Sequence, residues 1–369
     1  MTRMLIRMLA AACVAAAAVS AHAPDRAPSS PLKLAIAGLV HGHVNGFLRA
    51  AQNRADVQVV GIFEPDTALH RKYGQRYGLA DSLFFTDLAT MLERVKPDAV
   101  ASFTNTYDHP MVVDAAARRH LTVMMEKPLA VSVAHARAMQ QAAARGSIAV
   151  IVNYETSWYP SHGGIWKLIK EHPSGGEIRK MVAMDGHRGP KEIGVGPEFL
   201  DWLGDPVRNG AGALFDFGCY GANLMTWMMD NQRPLRVTAL TGHSKPDIYP
   251  RVDDEATILL EYPRAQGIIQ ASWNWPFDRK DFEVYAERAL AIATGPNGLR
   301  VRLPGEQERV EPPDPLPPHE HDSLAYLIDI VRGRKPSGLS SLENNMVVTE
   351  ILEAARESAR THRAIALSR

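Results

Sequence analysis

Short apolar runs alternate with amphipathic stretches in the first half of the chain. Each run has the length of a strand and is bounded by glycine, proline or polar residues, which is the pattern of buried parallel strands. The runs cover residues 32–38, 57–63, 99–103, 121–126 and 148–153. Helices are predicted from about residue 43 and over 86–95, 110–119 and 132–145, with Thr86 placed to cap the second of them. This alternation predicts an N-terminal Rossmann domain, a doubly wound parallel sheet over residues 32–153.

The pattern changes after residue 153, because apolar strands now follow one another with few helices between them. These strands are predicted at 180–187, 237–240, 255–263, 267–275, 282–287 and 290–294. A proline-rich stretch at 304–318 then leads to two closing helices, the last with a capping box formed by Ser340 and Glu343. The sequence therefore predicts a C-terminal α+β domain over residues 154–369 that contains an open, mostly antiparallel sheet.

The amino terminus has the three parts of a secretory signal. Arg3 and Arg7 mark a charged start, residues 8–19 form an apolar core, and Ala-His-Ala at 21–23 offers a cleavage site. The apolar core is too short to span a membrane. Residues 1–23 are therefore predicted to be a signal peptide and 24–31 a flexible leader, which places the mature protein in the periplasm or outside the cell. The alternative is an alanine-rich, disordered start to a cytoplasmic chain.

Composition narrows the range of partners. The 369 residues carry equal numbers of basic and acidic side chains, with 46% hydrophobic and 22% charged residues. No basic block is present, so neither nucleic acid nor an anionic membrane surface is an expected partner. Removal of the signal peptide leaves Cys219 as the single cysteine, which excludes a disulfide within the mature chain.

The turn after the first predicted strand is a weak dinucleotide fingerprint. Gly38 matches the first glycine of Gly-x-Gly-x-x-Gly, but Val40 and His43 occupy the second and third glycine positions. Glu64 follows the second strand, where a carboxylate accepts hydrogen bonds from ribose hydroxyls. An acid there repels a 2′-phosphate, so the position favours NAD over NADP. The alternative for Glu64 is an ordinary turn residue at the start of a helix.

His41 and His43 raise the question of a metal site. Two histidines two residues apart do not make such a site without a third ligand, and no cysteine or acidic residue stands at a matching spacing. A structural or phosphate-facing role is expected, and no metal is predicted.

Three motifs in order resemble the Gfo/Idh/MocA oxidoreductases. Residues 125–132 are similar to the family's Glu-Lys-Pro signature, and residues 103–110 to its Thr-Pro-Asn-x-x-His segment, with Asn105 in place of the proline. Residues 210–227 resemble its second-domain motif Gly-Gly-x-x-x-Asp-x-Gly-x-His, in which Tyr220 replaces the histidine, as in one branch of the family. The resemblance covers residues 32–367.

The resemblance implies three catalytic residues, Lys127, Asp216 and Tyr220. Partial burial is expected to lower the pKa of Lys127 so that it can take a hydroxyl proton. Asp216 and Tyr220, four residues apart at a predicted helix start, are expected on one face, with the tyrosine proton made more mobile by the nearby lysine. The alternatives are a surface salt bridge for Glu126 and Lys127 and a packing role for Tyr220.

The resemblance also implies cofactor and substrate contacts. Cofactor contacts are expected from Gly38, His41, Gly42, His43, Glu64, Thr104, His109, Glu126 and Asn153. Substrate contacts are expected from Trp158 and from His187, which follows the first strand of the second domain.

The implied function is an NAD(P)-dependent oxidoreductase that moves hydride to or from a hydroxyl-bearing carbon of a carbohydrate or cyclic polyol. NAD is the expected cofactor, and NADP is less favoured. Two alternatives remain: redox-neutral glycoside cleavage or epimerisation through transient oxidation, and a carbohydrate-binding protein that has lost its cofactor. A homo-oligomer formed through the C-terminal sheet is also expected. The sequence does not specify the sugar, the carbon oxidised or the direction of reaction.

Overall fold

The computed structural model describes residues 30–173 and 175–367. The predicted signal peptide, and all of the leader except Ser30 and Pro31, lie outside the described residues. The described residues from Pro31 onward belong to a single compact unit, so the two halves of the chain can be described in one frame.

The first half forms a parallel sheet of six strands in the order β3-β2-β1-β4-β5-β6 within the described residues. The strands are β1 Leu32–Ala37, β2 Val57–Phe63, β3 Phe84–Phe85, β4 Ala99–Ser102, β5 Thr122–Glu126 and β6 Val150–Asn153. All neighbouring pairs are parallel. This order reverses direction between β1 and β4, as in a doubly wound sheet, and the predicted fold class is confirmed.

Five helices connect these strands. They are α1 Val44–Gln52, α2 Thr67–Tyr77, α3 Leu88–Val95, α4 His109–Ala117 and α5 Val133–Gly146. The predicted cap of α3 at Thr86 is wrong, because the helix begins two residues later and the carboxylate of Asp87 accepts the backbone N–H of Thr90 at 2.7 Å. Aspartate caps a helix as well as threonine does, so the sequence pattern alone did not separate the two positions.

The second half contains a sheet of nine strands within the described residues, in the order β14-β13-β12-β11-β7-β10-β9-β8-β15. The strands are β7 Ile178–Gly186, β8 Arg236–Gly242, β9 Glu255–Glu261, β10 Gln266–Ser272, β11 Arg279–Ala286, β12 Leu290–Thr294, β13 Gly298–Arg302, β14 Arg309–Val310 and β15 Ile365–Ala366. Apart from the parallel pair β7–β10, the neighbouring strands are antiparallel. The prediction of an open, mostly antiparallel sheet is confirmed.

The remaining helices cover this sheet and return to the first one. They are α6 Pro160–Trp166, α7 Pro197–Leu203, α8 Ala213–Asp216, α9 Gly218–Met228, α10 Ser323–Val331 and α11 Leu342–Thr361. In α9, a Cβ at Gly221 would lie 2.7 Å from Ile269, so this helix packs closely on β10. The predicted cap of α11 at Ser340 is wrong by one residue, because the hydroxyl of Ser341 accepts the N–H of Asn344.

Helix α10 belongs to the core of the first sheet although it lies far along the chain. Its Leu324 and Leu327 are buried in the same apolar cluster as Leu34 and Ile36 of β1. The domain boundary placed after residue 153 stays a prediction, and the chain crosses it again at α10. None of the helices in the described ranges combines the length and apolar character needed to cross a bilayer.

Candidate active site

A buried ion pair links the two halves of the chain at the carboxyl end of β5. Lys127 follows β5 directly, and Asp216 is the last residue of α8. The Lys127 Nζ donates to Asp216 Oδ1 at 2.6 Å and to the Asp216 carbonyl at 3.0 Å. The indole N–H of Trp273 donates to the other carboxylate oxygen, Oδ2, at 3.0 Å. Both oxygens of Asp216 are therefore fixed, and the lysine ammonium is held in one place.

The expectation that burial lowers the pKa of Lys127 is wrong. Burial alone acts in that direction, but the Asp216 carboxylate outweighs it, so that the pKa of Lys127 lies above its ordinary value. Burial likewise favours the neutral acid at Asp216, and Lys127 reverses this, lowering the pKa of Asp216. Each charge stabilises the other in a place from which water is excluded. In the resting protein the lysine is an ammonium and acts as a donor.

The ring of Tyr220 lies beside this ion pair. The Lys127 Nζ is 5.0 Å from the Tyr220 ring centroid and 5.7 Å from that of Phe217. Burial raises the pKa of Tyr220 well above its ordinary value, and the charge of Glu155 raises it further. The expected loss of the tyrosine proton near the lysine is therefore wrong. Phe217 interrupts the helix, so Asp216 ends α8 and Tyr220 lies in α9, yet both side chains line one cavity beside Lys127.

A second lysine–carboxylate pair flanks the same tyrosine, and no sequence motif indicated it. Lys280 of β11 contacts Glu155 with 3.2 Å between Nζ and Oε2. The Lys280 Nζ lies 4.5 Å from the centroid of the Tyr220 ring. Burial raises the pKa of Glu155, but the charge of Lys280 outweighs it and the net pKa is lowered. Because the two partners are 125 residues apart, no local motif could reveal them.

Asp185 is a buried acid near these charges. Its Cα pairs with that of Lys280 across β7 and β11, it is 1% exposed, and its Oδ2 has no hydrogen-bond partner. Burial raises the pKa of Asp185 to about 8 despite the nearby Lys280. Asp185 is therefore predominantly uncharged at neutral pH.

The two residues predicted to contact substrate lie in different cavities. His187 lines a cavity of about 610 Å³ together with Lys127, Asp216, Tyr220 and Lys280. Its ring meets the Phe217 ring edge-on at 4.8 Å, and burial lowers its pKa. Trp158 instead lines a second cavity of about 730 Å³.

The role predicted for Trp158 needs correction. The Trp158 indole N–H donates to Asn153 Oδ1 at 3.0 Å. Trp158 therefore orients Asn153, which is predicted to contact the cofactor. The larger cavity beside Trp158 is lined by aromatic and proline side chains together with many charged and polar ones, whereas the smaller one is lined by Lys127, Asp216, Tyr220 and Lys280. The buried Lys127–Asp216 pair therefore faces the smaller of these two cavities.

Four residues predicted to contact cofactor meet at the carboxylate of Glu126. Asn153 Nδ2 donates to Glu126 Oε1 at 2.7 Å, and His43 Nδ1 lies 3.0 Å from Oε2. His41 Nε2 is 3.9 Å from the same oxygen. Glu126 itself is 1% exposed, so these contacts keep its carboxylate paired.

The turn between β1 and α1 fits the phosphate-binding role of a Rossmann domain. Gly38 has φ +89°, and a Cβ there would lie 2.6 Å from the backbone nitrogen of Thr104, so only glycine allows this close approach. No side chain caps the N-terminus of α1, so that helix end can receive an anion. Phe199, from the second half of the chain, packs on this turn. It lies so close to Gly42 that a Cβ there would be 2.7 Å from the Phe199 ring.

The three remaining cofactor candidates are Glu64, Thr104 and His109. Glu64 is buried and accepts the N–H groups of Leu39 and Asp66, at 2.8 and 3.0 Å. Thr104 follows β4 and is 5% exposed. His109 is set apart, since its Nδ1 lies 2.9 Å from the Leu129 carbonyl and burial lowers its pKa to about 4. Glu64 therefore shapes the turn, and His109 fixes the loop after Lys127.

The reason given for expecting no metal is also wrong, because the fold supplies a third ligand. Ligand atoms of His41, His43 and Glu126 lie within 4.8 Å of one another. The His41 Nδ1, however, accepts the backbone N–H of His43 at 3.3 Å, which puts the ring proton of neutral His41 on Nε2, facing Glu126. That Nε2 is 3.9 Å from Glu126 Oε2 and has no hydrogen-bond partner, and the absence of a metal stays a prediction.

Comparison with known proteins agrees with this architecture. Residues 32–154 match the family model of the GFO/IDH/MocA oxidoreductases with an NAD-binding Rossmann fold, and residues 166–292 match the GFO/IDH/MocA C-terminal domain. Among solved structures, an inositol dehydrogenase homologue from Azotobacter vinelandii in complex with NAD⁺ has a TM-score of 0.77 and 20% identity, covering 92% of this chain and 98% of its own. Aldose-aldose oxidoreductase from Caulobacter crescentus has a TM-score of 0.76 and 20% identity, covering 91% of this chain and 100% of its own.

Curated relatives are distant in sequence. D-apiose dehydrogenase from Paraburkholderia graminis is 26% identical over 215 residues, which is 58% of this chain and 53% of that protein. The match therefore spans about half the length of this relative. Trans-1,2-dihydrobenzene-1,2-diol dehydrogenase from Xenopus tropicalis is 21% identical over 81% of this chain and 89% of its own. The two consecutive domain matches, in a chain with this strand order, show that the protein is an NAD-binding oxidoreductase of the GFO/IDH/MocA family.

Proposed function

We propose that this protein transfers hydride between NAD and a hydroxyl-bearing carbon of a carbohydrate or cyclic polyol. The observation that carries the proposal is the buried Lys127–Asp216 pair, which faces a 610 Å³ cavity reaching the turn at Gly42 and His43. A proton donor and the cofactor side of the fold thus share one cavity. The names of the sugar dehydrogenase and aldose oxidoreductase relatives support the substrate class.

The proton chemistry belongs to Lys127. When bound, NAD supplies or accepts the hydride at the substrate carbon. The ammonium of Lys127 donates a hydrogen bond to the substrate oxygen and gives up its proton when a carbonyl is reduced. In the opposite direction a neutral Lys127 Nζ takes the hydroxyl proton. Asp216 holds the nitrogen in place and stabilises the ammonium form.

The walls of the cavity orient the substrate and limit access of water. Phe217 and Tyr220 present ring surface next to Lys127 on one side, and Phe199 closes the cavity at the turn. A sugar ring offers C–H groups that pack on such surfaces, while its hydroxyls reach the charged groups.

The residues that would hold the cofactor are those around the turn. The close approach at Gly38 and the uncapped start of α1 suit the pyrophosphate, and Glu126 and Asn153 suit the ribose next to the nicotinamide. The buried carboxylate of Glu64 disfavours a 2′-phosphate, which supports NAD over NADP. Each of these cofactor contacts is a proposal.

A redox-neutral reaction through transient oxidation is the second candidate. This reaction uses Lys127 as the same proton donor. One structural neighbour is named aldose-aldose oxidoreductase, and that name pairs two sugars of the same class. In this case the cofactor stays bound and is restored within each cycle.

The test begins with the nucleotide carried by the purified protein. The protein is denatured, and any released nucleotide is identified by mass spectrometry. Reloaded protein is then assayed with a panel of sugars and polyols, with and without added NAD⁺. NADH formation supports the dehydrogenase, and product formation without net NADH supports the redox-neutral reaction. No nucleotide binding and no turnover would reject both and favour a carbohydrate-binding protein.

We further propose that the mature chain begins at Pro24 in the periplasm and forms a homo-oligomer through the C-terminal sheet. Leu240 and Leu259, on adjacent strands β8 and β9, are 67% and 46% exposed, which supports an interface on that face. Cell fractionation with amino-terminal sequencing tests the first proposal, and light scattering of a Leu240→Lys variant tests the second.

A further inference from the structure

The cavity contains a second place where a hydroxyl can bind. The Lys280 ammonium carries three N–H donors, and Glu155 is its ion-pair partner at 3.2 Å. Glu155 Oε1 accepts the Tyr159 hydroxyl, while Oε2 faces Lys280. Lys280 and Glu155 both line the cavity, with the Lys280 side chain 17% exposed. A lysine with spare donors beside a carboxylate with spare acceptor capacity matches a hydroxyl, which both donates and accepts.

The two lysines lie close enough to hold one sugar ring. Their Nζ atoms are 5.0 and 4.5 Å from the centroid of the Tyr220 ring, so they are at most 9.5 Å apart, the sum of these two distances. Two lysine nitrogens that bind neighbouring hydroxyls of one sugar are joined by three distances: nitrogen to oxygen, oxygen to oxygen, and oxygen to nitrogen. Each is close to a hydrogen-bond length, so together they span about 9 Å. The largest possible separation of the two nitrogens is thus close to this span, so a sugar ring with adjacent hydroxyls is of the size needed to contact both lysines.

The charges around Tyr220 are balanced. Lys127 is neutralised by Asp216, and Lys280 by Glu155. Two further titratable groups do not disturb this balance at neutral pH, because burial raises the pKa of Asp185 to about 8 and lowers that of His187. Neither of these two lysines is thus left unpaired for an anionic substrate.

We propose that Lys280 and Glu155 form a second hydroxyl-binding subsite and that the two neutralised lysines make the site selective for uncharged sugars and polyols over sugar acids. This inference rests on the proposed carbohydrate function and specifies its substrate class. A carboxylate placed at this subsite would lie next to the half-exposed carboxylate of Glu155, and juxtaposed like charges are unfavourable.

The test compares matched pairs of ligands that differ only in charge. Binding of glucose and glucuronate, and of galactose and galacturonate, is measured by calorimetry on the NAD-loaded protein. At least one neutral sugar is expected to bind about tenfold or more tightly than its acid partner, because about 1.4 kcal/mol of charge repulsion gives that factor. Lys280→Met should weaken binding of that neutral sugar.

Glu155→Gln is the decisive variant. Its amide oxygen can still accept the Tyr159 hydroxyl, but the charge that neutralises Lys280 is gone. The variant should therefore bind the acid sugar better than the wild type does, reversing or abolishing the preference. Glu357→Gln is the matched control, since Glu357 forms a partly exposed ion pair with Arg360 on α11, outside the cavity lining, and its loss should leave the preference unchanged.

The outcomes separate this inference from the proposed function. Tighter binding of the acid sugars to the wild type, or no gain for them in Glu155→Gln, would overturn the inference while leaving the carbohydrate function in place. If neither member of any pair bound, the carbohydrate function itself would be rejected, together with the subsite.

Discussion

Replacement of Lys127 by methionine tests the centre of the proposed mechanism. Methionine has similar length but no ammonium, so the 2.6 Å contact with Asp216 Oδ1 and the 3.0 Å contact with its carbonyl are both lost. Loss of a positioned proton donor typically lowers the rate by about 10²–10⁴-fold. NAD binding should persist, because the turn at Gly38 is untouched.

The same change has a cost in stability that follows from burial. Lys127 and Asp216 have side chains only 4% and 7% exposed, so Lys127→Met leaves an unpaired carboxylate in the interior. Removal of one partner of a buried ion pair destabilises a protein by about 3–5 kcal/mol.

A double variant separates chemistry from stability. In Lys127→Met with Asp216→Asn the buried negative charge is removed, and the amide oxygen can still accept the Trp273 N–H. Its free energy of unfolding, measured by urea titration with tryptophan fluorescence, should recover part of the loss, whereas turnover should remain as low as in the single variant. Wild-type turnover in Lys127→Met, or recovery of turnover in the double variant, would refute the assigned role.

Three further predictions follow from the same geometry. Oxidation of the substrate needs neutral Lys127, whose pKa lies above its ordinary value, so the oxidation rate should rise about tenfold per pH unit in the range below that pKa; a rate independent of pH between 7 and 9 would count against the lysine as base. The pKa of Asp185 is about 8 in the fold and ordinarily 3.8, so the native state binds one more proton than the unfolded state between these pH values. The free energy of unfolding should therefore fall as pH rises through that interval. Asp185→Asn should flatten this pH dependence in urea titrations, and an unchanged slope would contradict the prediction. Gly38→Ala should abolish NAD binding in a calorimetric titration, because its Cβ would lie 2.6 Å from the backbone nitrogen of Thr104 at φ +89°; normal affinity would show that the turn does not need glycine.

The sequence by itself determined the fold class and the position of the reactive lysine. Apolar runs of strand length that alternate with amphipathic helices are typical of a parallel sheet. Each buried strand needs hydrogen-bonded neighbours for its backbone, and helices must cover both of its faces. The role of Lys127 was implied by the resemblance of residues 125–132 to the family's Glu-Lys-Pro signature, and its position agrees with the strand pattern. A charged pair at the end of a buried strand, stopped by Pro128, lies where the carboxyl ends of parallel strands open onto a crevice.

Helix caps show the limit of local pattern. Thr86 and Ser340 were predicted as caps, whereas Asp87 and Ser341 perform that role. Each error is one residue, because neighbouring polar residues have nearly equal capping strength. Which residue starts the helix is decided by how its apolar face meets the core.

Only the tertiary structure decided the charges within the site. The sequence predicted a lowered pKa for Lys127 because burial was foreseeable, but Asp216 lies 89 residues away and its distance to the ammonium sets the sign. Lys280 and Glu155, like Glu126 beside His43, are brought together by strands from separate parts of the chain. Coulomb energy depends on separation in space and on exclusion of water, and neither quantity is encoded in the spacing of residues along the chain.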